Sequence, residues 1–594
     1  QKNLITRNFP LLFLYMFYHN VVMLFLYNKI RDKKLEYIYV NIYRYEMSAI
    51  FFQHKRRKKD PIAVFSLKDP DTFVVKLKRT NDTIDFLLTD RRTYQITMDQ
   101  LDDCVQACLD KGLLIVPVTE QVETALSYDP KLPFKEEFKK TELYGKLFQY
   151  QKEGVEHVVR HFDGRALIAD DMGLGKTLQA LALSKYYGIT KVLVICPAYL
   201  RYNWRAEFEK WLNVNPDDVS LIKKGTDKLT GYPVIISYEL ATKRKIELED
   251  FGFDMVICDE SHYLKNHKTK RTRGLSPLIR KIDKAILLTG TPALNRPCEL
   301  YSQANMIRKQ YFPKYKQYAE RYCDRKMSPL GYWDDSGSSN PHELCWLAKQ
   351  TVMIRRLKRD VLKDLPTKHR SQLHIDLDAR DTYEMIPLFD EWRQLNQDIP
   401  KMAPCSEKVR KADFRRKCVI NEIYGLTADA KSKAMQKLIK DTMDNGQQFL
   451  VFCYHKQLMD DLFEACDGKA MLINGDTPTE KRHQYVKDFQ EGKYQVAVLS
   501  MLAAGTGITL TAASHVIFAE LYWVPGVLLQ SEDRVHRIGQ ENSCHIQYII
   551  CKDTLDPYLY KSIQWKLETI DGCLDQRDDR NFKGEDIKIY DMKV

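Results

Sequence analysis

No two cysteines of this chain stand in C-x-x-C spacing. The 14 cysteines are scattered, and Cys104 and Cys108 have no second ligand pair at zinc spacing. That excludes zinc ribbons, zinc fingers and thioredoxin-type redox motifs. Cys196, Cys258 and Cys453 lie in apolar runs and are expected to be core thiols, which points to a reducing compartment. A strict phosphate loop, G-x-x-x-x-G-K-[ST], is also missing, because Asp170 stands where its first glycine belongs. Charge of one sign does not dominate. The 92 basic and 80 acidic residues leave +12, which suits a polyanion partner without demanding one. At 594 residues the chain is too long for one core, and three or four domains are expected.

Residues 1–46 differ from the rest. No Asp, Glu, Lys or Arg occurs from Asn8 to Asn28, and Phe9–Phe17 is strongly apolar. The length suits a membrane span, yet His19-Asn20 sits at its centre, Pro10 near its start, and no small-residue cleavage site follows. Its Phe/Tyr/Asn/Leu/Ile/Lys usage is that of translated AT-rich DNA. The expectation is a gene-model extension with Met47 as the true start, the alternatives being a signal anchor or a buried or disordered arm. No membrane partner is expected if the extension is not native. The block His54-Lys55-Arg56-Arg57-Lys58-Lys59 reads as a nuclear-import signal, a phosphate-contacting arm or a solvated charge run.

Residues 47–130 read as a small basic α+β module. Phe73–Lys78, Thr83–Leu88 and Tyr94–Ile96 are strand-like, Asp90-Arg91-Arg92 offers a turn, and a helix from Asp99 carries Leu101, Val105 and Cys108 at helical spacing. Lys76, Lys78, Arg79, Arg91 and Arg92 form either a nucleic-acid face or an ordinary solvated one. From 135 to 365, short continuous apolar runs alternate with helical segments: Ala166–Ala169, Val192–Ile195, Val234–Ile236, Met255–Cys258 and Ala285–Leu288. That is how parallel strands covered on both faces appear. Residues 366–435 are charged and expected to be a helical insertion or linker, with a basic face from Lys408–Lys411 and Arg415–Lys417. A second series follows over 436–575: Phe449–Phe452, Ala470–Ile473, Val496–Leu499, Val516–Phe518 and Ile546–Ile550. Residues 576–594 are a tail. The fold class is α/β, two tandem parallel-sheet lobes with a small N-terminal α+β module and helical insertions.

Four constellations carry chemistry. Asp170-Asp171-Met172-Gly173-Leu174-Gly175-Lys176-Thr177 lies between an apolar strand and a helix-like run from Leu178. A glycine turn closed by Lys-Thr aims backbone N–H groups at phosphates. Lys176 would reach the β- and γ-phosphates and the Thr177 hydroxyl would ligate Mg²⁺. Asp259-Glu260-Ser261-His262 follows the strand Met255–Cys258, 83 residues after Lys176. Asp259 suits Mg²⁺, and Glu260 suits polarising the attacking water. Leu288-Thr289-Gly290-Thr291-Pro292 places the Thr289 and Thr291 hydroxyls on a tight turn, suited to reporting the phosphate state to a polymer strand. Arg534 and Arg537, three apart and so on one face of a helix, are placed to stabilise a transferring γ-phosphoryl across a cleft. Gly505 and Thr506 lie in a further small-residue turn suited to close backbone approach.

In order and spacing these motifs resemble the superfamily-two helicase motor of the Snf-type ATPases over about 135–570. The family's loop is D-E-M-G-L-G-K-T, so Asp170 matches the family, and Asp171 departs from its usual Glu. Phe148-Gln149-Tyr150-Gln151 resembles the motif whose glutamine contacts adenine, with Gln149 in place of a frequent proline. Leu288–Pro297 with Glu299-Leu300-Tyr301, the compact second lobe and Asp553-Thr554-Leu555-Asp556 resemble the annealing-helicase (HepA-related, HARP-type) branch, and Arg92–Ile96 weakly resembles its HARP domain. Histone-reader patterns and the HNH nuclease tail of a related annealing helicase are absent.

The resemblance implies RecA-like lobes and an ATP- and Mg²⁺-dependent DNA translocase acting on branched or forked DNA in replication-fork repair, in the nucleus. ATP would meet Gln151 and Asp170–Thr177. Lys176, Asp259, Glu260, Arg534 and Arg537 would be catalytic, Thr177 and Asp259 would hold Mg²⁺, and Thr289, Thr291, Gly505 and Thr506 would contact DNA or couple to it. The single-strand binding protein RPA is an implied partner for which no motif is recognisable. A nucleosome-remodelling ATPase, a duplex-RNA-stimulated ATPase and a catalytically silent DNA-binding scaffold are the alternatives.

Overall fold

A computed structural model describes residues 62–69, 72–78, 93–97, 100–110, 114–116, 118–293, 295–312, 314–362, 364–502, 508–574 and 588–593. The apolar extension over 1–46, the basic block at 54–59, the expected strand at 83–88, Arg79, Arg91, Arg92, Gly505 and Thr506 lie outside the described residues. The chain divides into two compact units, one ending at Asp129 and one beginning at Pro130.

In the first unit, strands β1 (Ile62–Asp69), β2 (Thr72–Lys78), β3 (Thr93–Thr97) and β4 (Leu114–Val116) form a sheet in the order β3-β2-β1-β4. β1 pairs antiparallel with β2 and parallel with β4. Ala63, Phe65 and Leu67 are buried, so the period of two puts one face of β1 inward. The expected helix spans Leu101–Asp110 and buries Cys104, Val105 and Cys108. The expected strands at 73–78 and 94–96 are present as β2 and β3, and β1 is an addition to them.

The second unit holds both lobes. Lobe one contains β5 (Arg165–Ile168), β6 (Val192–Cys196), β7 (Ser220–Leu221), β8 (Val234–Ser237), β9 (Met255–Asp259) and β10 (Lys284–Leu288). An antiparallel hairpin of β11 (Lys326–Met327) and β12 (Trp333–Asp334) precedes β13 (Met353–Ile354), which rejoins the lobe-one sheet. The sheet order is β13-β5-β10-β9-β6-β8-β7, with every pairing parallel. β6, β8 and most of β9 and β10 are buried residue by residue, the signature of a sheet covered on both faces. The order matters for chemistry. β5, β10 and β9 are neighbours, so the turns after Ile168, Leu288 and Asp259, far apart in the chain, share one carboxyl-terminal edge.

Lobe two contains β14 (Lys368–Asp376), β15 (Phe449–Cys453), β16 (Ala470–Ile473), β17 (Val496–Ser500), β18 (His515–Phe518), β19 (Cys544–Cys551) and β20 (Lys588–Lys593), in the all-parallel order β16-β17-β15-β18-β19-β14-β20. Two expectations change here. The stretch expected to be a helical linker over 366–435 opens with β14, whose Leu373 and Ile375 join the lobe-two core, so the second lobe begins near Lys368. The expected tail supplies β20 at the sheet's edge.

The helices of that stretch span Met385–Asp398 and Glu407–Met443. The second, with 37 residues, is long, about 55 Å at 1.5 Å per residue. From Val419 onward it buries Val419, Ile423, Tyr424, Met435 and Ile439, while Arg410, Lys411, Phe414, Arg415 and Lys417 before that point are exposed. The expected basic face there is largely neutralised: Lys411 meets Glu407, Arg415 meets Glu391 and Glu422, and Lys417 meets Asp413. Among the described residues no helix is long and apolar enough to cross a membrane.

Candidate nucleotide site between the lobes

β5 ends at Ile168, and the chain turns through Asp170–Gly175 into the helix Lys176–Tyr187. Gly173 (φ 83°) and Gly175 (φ 68°) take left-handed backbone that a side chain would strain. A Cβ on Gly175 would also strike the Gln151 amide. Gln151 is buried; its Nε2 donates to the Leu174 carbonyl (3.1 Å) and its Oε1 accepts from the Phe148 N–H (3.0 Å). The expected adenine reader therefore buttresses the phosphate loop and caps its own helix. Met172 packs against Gly290, where a Cβ would leave no room for it. Leu174 is fully buried, and Thr177 follows Lys176 in the first helical turn.

The Lys176 ammonium donates to the Asp170 and Asp171 carbonyls at 2.9 and 3.0 Å. Burial pulls its pKa down, and Glu260, Asp170, Asp259 and Asp171 work against that. The Asp170 carboxylate, fully buried, faces the other way. Oδ1 accepts from the Arg356 N–H (3.0 Å) and Nε (2.9 Å), and Oδ2 pairs with Nη2 of Arg356 and accepts from Gln179 Nε2 (3.0 Å). Asp171 accepts from the Lys358 N–H at 3.1 Å. Arg355 lies 3.7 Å from that carboxylate and donates to the Ala169 carbonyl at 2.8 Å.

After β9, Asp259 Oδ2 accepts from Trp204 Nε1 (2.9 Å) and Oδ1 from the Glu260 N–H (2.9 Å). Burial and the neighbouring Glu260 push Asp259 up, and Trp204, that N–H and Lys176 restrain it. Burial would raise Glu260 too, but His262, Lys176 and Arg534 hold it below the ordinary glutamate value. Glu260 sits at φ 50°, a left-handed conformation rare for a residue with a Cβ. His262 Nδ1 lies 3.2 Å from Glu260 Oε2 and 3.3 Å from Thr289 Oγ1.

Thr289 and Thr291 are buried, so they meet neighbouring protein groups rather than an open nucleic-acid face. Thr289 Oγ1 accepts from the Thr291 N–H (3.1 Å), and Thr291 Oγ1 accepts from Gln530 Nε2 of lobe two (3.3 Å). These contacts join the Asp-Glu-Ser-His box to the second lobe.

Arg534 and Arg537 are not on a helix. Helix Pro525–Glu532 ends two residues before Arg534, and both arginines lie in the turns that follow. The turns still bring them to the cleft. Arg537 Nε donates to the Asp533 carbonyl (2.8 Å) and Nη1 to Thr509 Oγ1 (3.1 Å), and its Cγ is 3.5 Å from where a Gly173 Cβ would stand. Arg534 is buried with one carbonyl partner, Ile508 at 3.4 Å, and burial lowers its pKa against the attraction of Tyr199, Glu260 and Asp533.

This donor set suits a magnesium-bound triphosphate. Arg534 Nε is buried without a hydrogen-bond partner, and from the opposite lobe buried Glu260 Oε2 has the 3.2 Å approach of His262 Nδ1 but no well-formed hydrogen bond. A buried polar atom without a partner is costly, and a phosphate and its water would satisfy both. Thr177 and Asp259 would hold Mg²⁺, with Trp204 fixing the carboxylate of Asp259. Trp204→Phe, which deletes that N–H, is expected to raise the Mg²⁺ concentration for half-maximal hydrolysis about tenfold or more. A magnesium titration of ATPase rate checks this, and an unchanged midpoint would exclude Trp204 from the metal's surroundings.

Sequence reasoning missed Arg355, Arg356, Lys358 and Gln530. The run Arg355-Arg356-Leu357-Lys358-Arg359 is conspicuously basic, and its position beside the loop follows from β13 pairing with β5.

The SNF2-related domain family matches residues 150–419, and the helicase conserved C-terminal domain matches 430–539. The SWI/SNF-related matrix-associated actin-dependent regulator of chromatin subfamily A-like protein 1 of Xenopus laevis is 39% identical over 440 residues, 72% of this chain and 44% of that protein. The DNA annealing helicase and endonuclease ZRANB3 of Bos taurus is 38% identical over 461 residues, 75% of this chain and 42% of that protein. The chain thus spans less than half the length of these relatives. A solved structure, the Sulfolobus solfataricus SWI2/SNF2 ATPase core in complex with dsDNA, covers 72% of this chain and 97% of its own at 21% identity and a TM-score of 0.34, too loose a likeness to carry weight. Two matched domains, in the order of the two lobes and together spanning most of the chain, mean that it belongs to the SNF2-related helicase-type ATPases.

Proposed function

We propose that the chain is a DNA-dependent ATPase that translocates on duplex or branched DNA and anneals strands at replication forks, in the nucleus. One observation carries this reading. The groups suited to hydrolysis are divided between lobes, with Lys176, Asp259 and Glu260 on lobe one and Arg534 and Arg537 on lobe two. Hydrolysis then requires closure, and a polymer bound across both lobes controls closure.

Each residue has a role in that cycle. Lys176 and the N–H groups of Gly173–Thr177 hold the phosphates. Mg²⁺, when bound by Thr177 and Asp259, supplies charge neutralisation. Glu260 orients the attacking water and accepts its proton. Arg534 and Arg537 stabilise the charge that develops on the transferring group. Thr289 and Thr291, linking His262 to Gln530, pass the state of the site between lobes. Gln151 keeps the loop in place and contacts adenine.

Phosphate release with single-stranded, duplex and forked DNA in parallel tests the reading. Hydrolysis should be slow without DNA, fastest with the fork, and should weaken with salt as phosphate contacts are screened. A rate indifferent to DNA sinks it, and stronger stimulation by nucleosomes than by forks replaces it with a remodelling ATPase.

A further inference from the structure

Lys358 leaves lobe one and enters lobe two within a single side chain. Its backbone N–H donates to the Asp171 carboxylate of the phosphate loop (3.1 Å), and its Cε is 3.7 Å from where a Gly173 Cβ would stand. Its ammonium donates to the His536 carbonyl (2.6 Å) and lies 2.9 Å from Asp533 Oδ1. The side chain is buried, so this ion pair is shielded from solvent. Asp533 in turn accepts the Nε–H of Arg537 through its carbonyl (2.8 Å). One lysine therefore grips both sides of the turn that carries Arg534 and Arg537.

The rest of lobe two holds this turn from behind. Lys368 and Arg370 of β14 bind the Glu532 carboxylate at 2.8 and 2.7 Å, and Lys368 comes within 3.5 Å of Asp533. Those contacts fix the turn within its own lobe. Besides Lys358, a side-chain hydrogen bond from Gln530 to Thr291 crosses the cleft near the turn, a neutral contact at 3.3 Å. Lys358 also lies on the covalent path between the lobes, in the short helix Lys358–Val361.

We infer that Lys358 is a positioning residue for hydrolysis, setting the Arg534–Arg537 turn against the phosphate loop by bridging Asp171 and Asp533. The inference rests on the nucleotide-site reading above and assigns this lysine no contact with substrate. A guanidinium misplaced by an ångström loses about a hundredfold in rate while ground-state binding survives.

In the full chain, Lys358→Met should lower kcat of DNA-stimulated hydrolysis about tenfold to a hundredfold and leave the affinity for a fluorescent ADP analogue within about twofold. Combined with Arg537→Ala the loss should be clearly less than additive, because both changes take the Arg537 guanidinium from its place. Lys358→Gln, which keeps a donor for the His536 carbonyl, is the second variant should Met not fold, and the same split is expected of it. A kcat within twofold of wild type in either folded variant, loss of nucleotide affinity in proportion to rate, or full additivity with Arg537→Ala overturns the inference. A wild-type chain inactive with every DNA overturns the underlying reading as well, so the two failures are distinguishable.

Discussion

Lys176→Ala is expected to abolish DNA-stimulated ATP hydrolysis, a loss of at least about a thousandfold, while forked DNA still binds within about twofold. Lys176 is the cation on lobe one's phosphate loop, among Asp170, Asp171, Asp259 and Glu260. Asp170 keeps Arg356, and Asp171 keeps the Lys358 N–H. Asp259 keeps Trp204 and Glu260 keeps His262, but both lose the cation that favours their charged forms. Removing it leaves two buried acids facing the phosphates with only the metal between them. Phosphate release at saturating DNA, read beside fluorescence anisotropy of a labelled fork, separates the two effects. Hydrolysis at the wild-type rate would remove Lys176 from the site. A parallel collapse of DNA binding would show that nucleotide and DNA surfaces are not separable in this chain.

The lobes were legible because buried parallel strands print themselves as short apolar runs. Val192–Cys196 and Phe449–Cys453 have no solvent face, so nothing polar interrupts them. β14 escaped for the opposite reason. Lys-His-Arg-Ser-Gln-Leu-His-Ile-Asp is half-exposed along most of its length, and its basic residues serve Glu532 rather than solvent, so it reads as a charged linker. The motif residues were legible in order, but their local geometry was not. Arg534 and Arg537 have helical spacing, yet the helix stops at Glu532, and a turn places them in the cleft as well. Thr289 and Thr291 looked like groups facing a polymer. Burial and their bonds to His262 and Gln530 make them a link between the lobes instead.

Asp170 shows why some of the site cannot be read in advance. Its substitution for glycine looks like damage to a phosphate loop when the loop is read alone. In the fold its carboxylate is the anchor for a guanidinium 186 residues away, and no local pattern announces a partner at that distance. The departure from the strict pattern thus has a structural cause, and it fixes where the interlobe segment begins.

That anchor sets a large expected effect on stability. Arg356 reaches Asp170 through Nε and Nη2, donates to Gln179 Oε1 at 2.7 Å, and lies 5.4 Å from the Tyr150 ring centroid. Gly154 makes the passage possible, since a Cβ there would collide with the guanidinium and with Gln179. Arg356→Ala leaves a fully buried carboxylate with only the Gln179 amide and one backbone N–H. Breaking a buried pair in this way costs about 3–5 kcal/mol. The cost should appear as an earlier urea transition of the lobes, and as weaker ATP binding because Asp170 begins the loop. Asp170→Leu alone should be comparably harmful, since it strands the guanidinium. The double variant Arg356→Met with Asp170→Leu should recover much of the loss, because two apolar side chains leave no uncompensated charge. Tryptophan fluorescence in urea gives the stability of all three. A double variant that loses the sum of the two single losses would mean that the pair contributes through packing alone, and that Asp170 has no electrostatic hold on the interlobe segment.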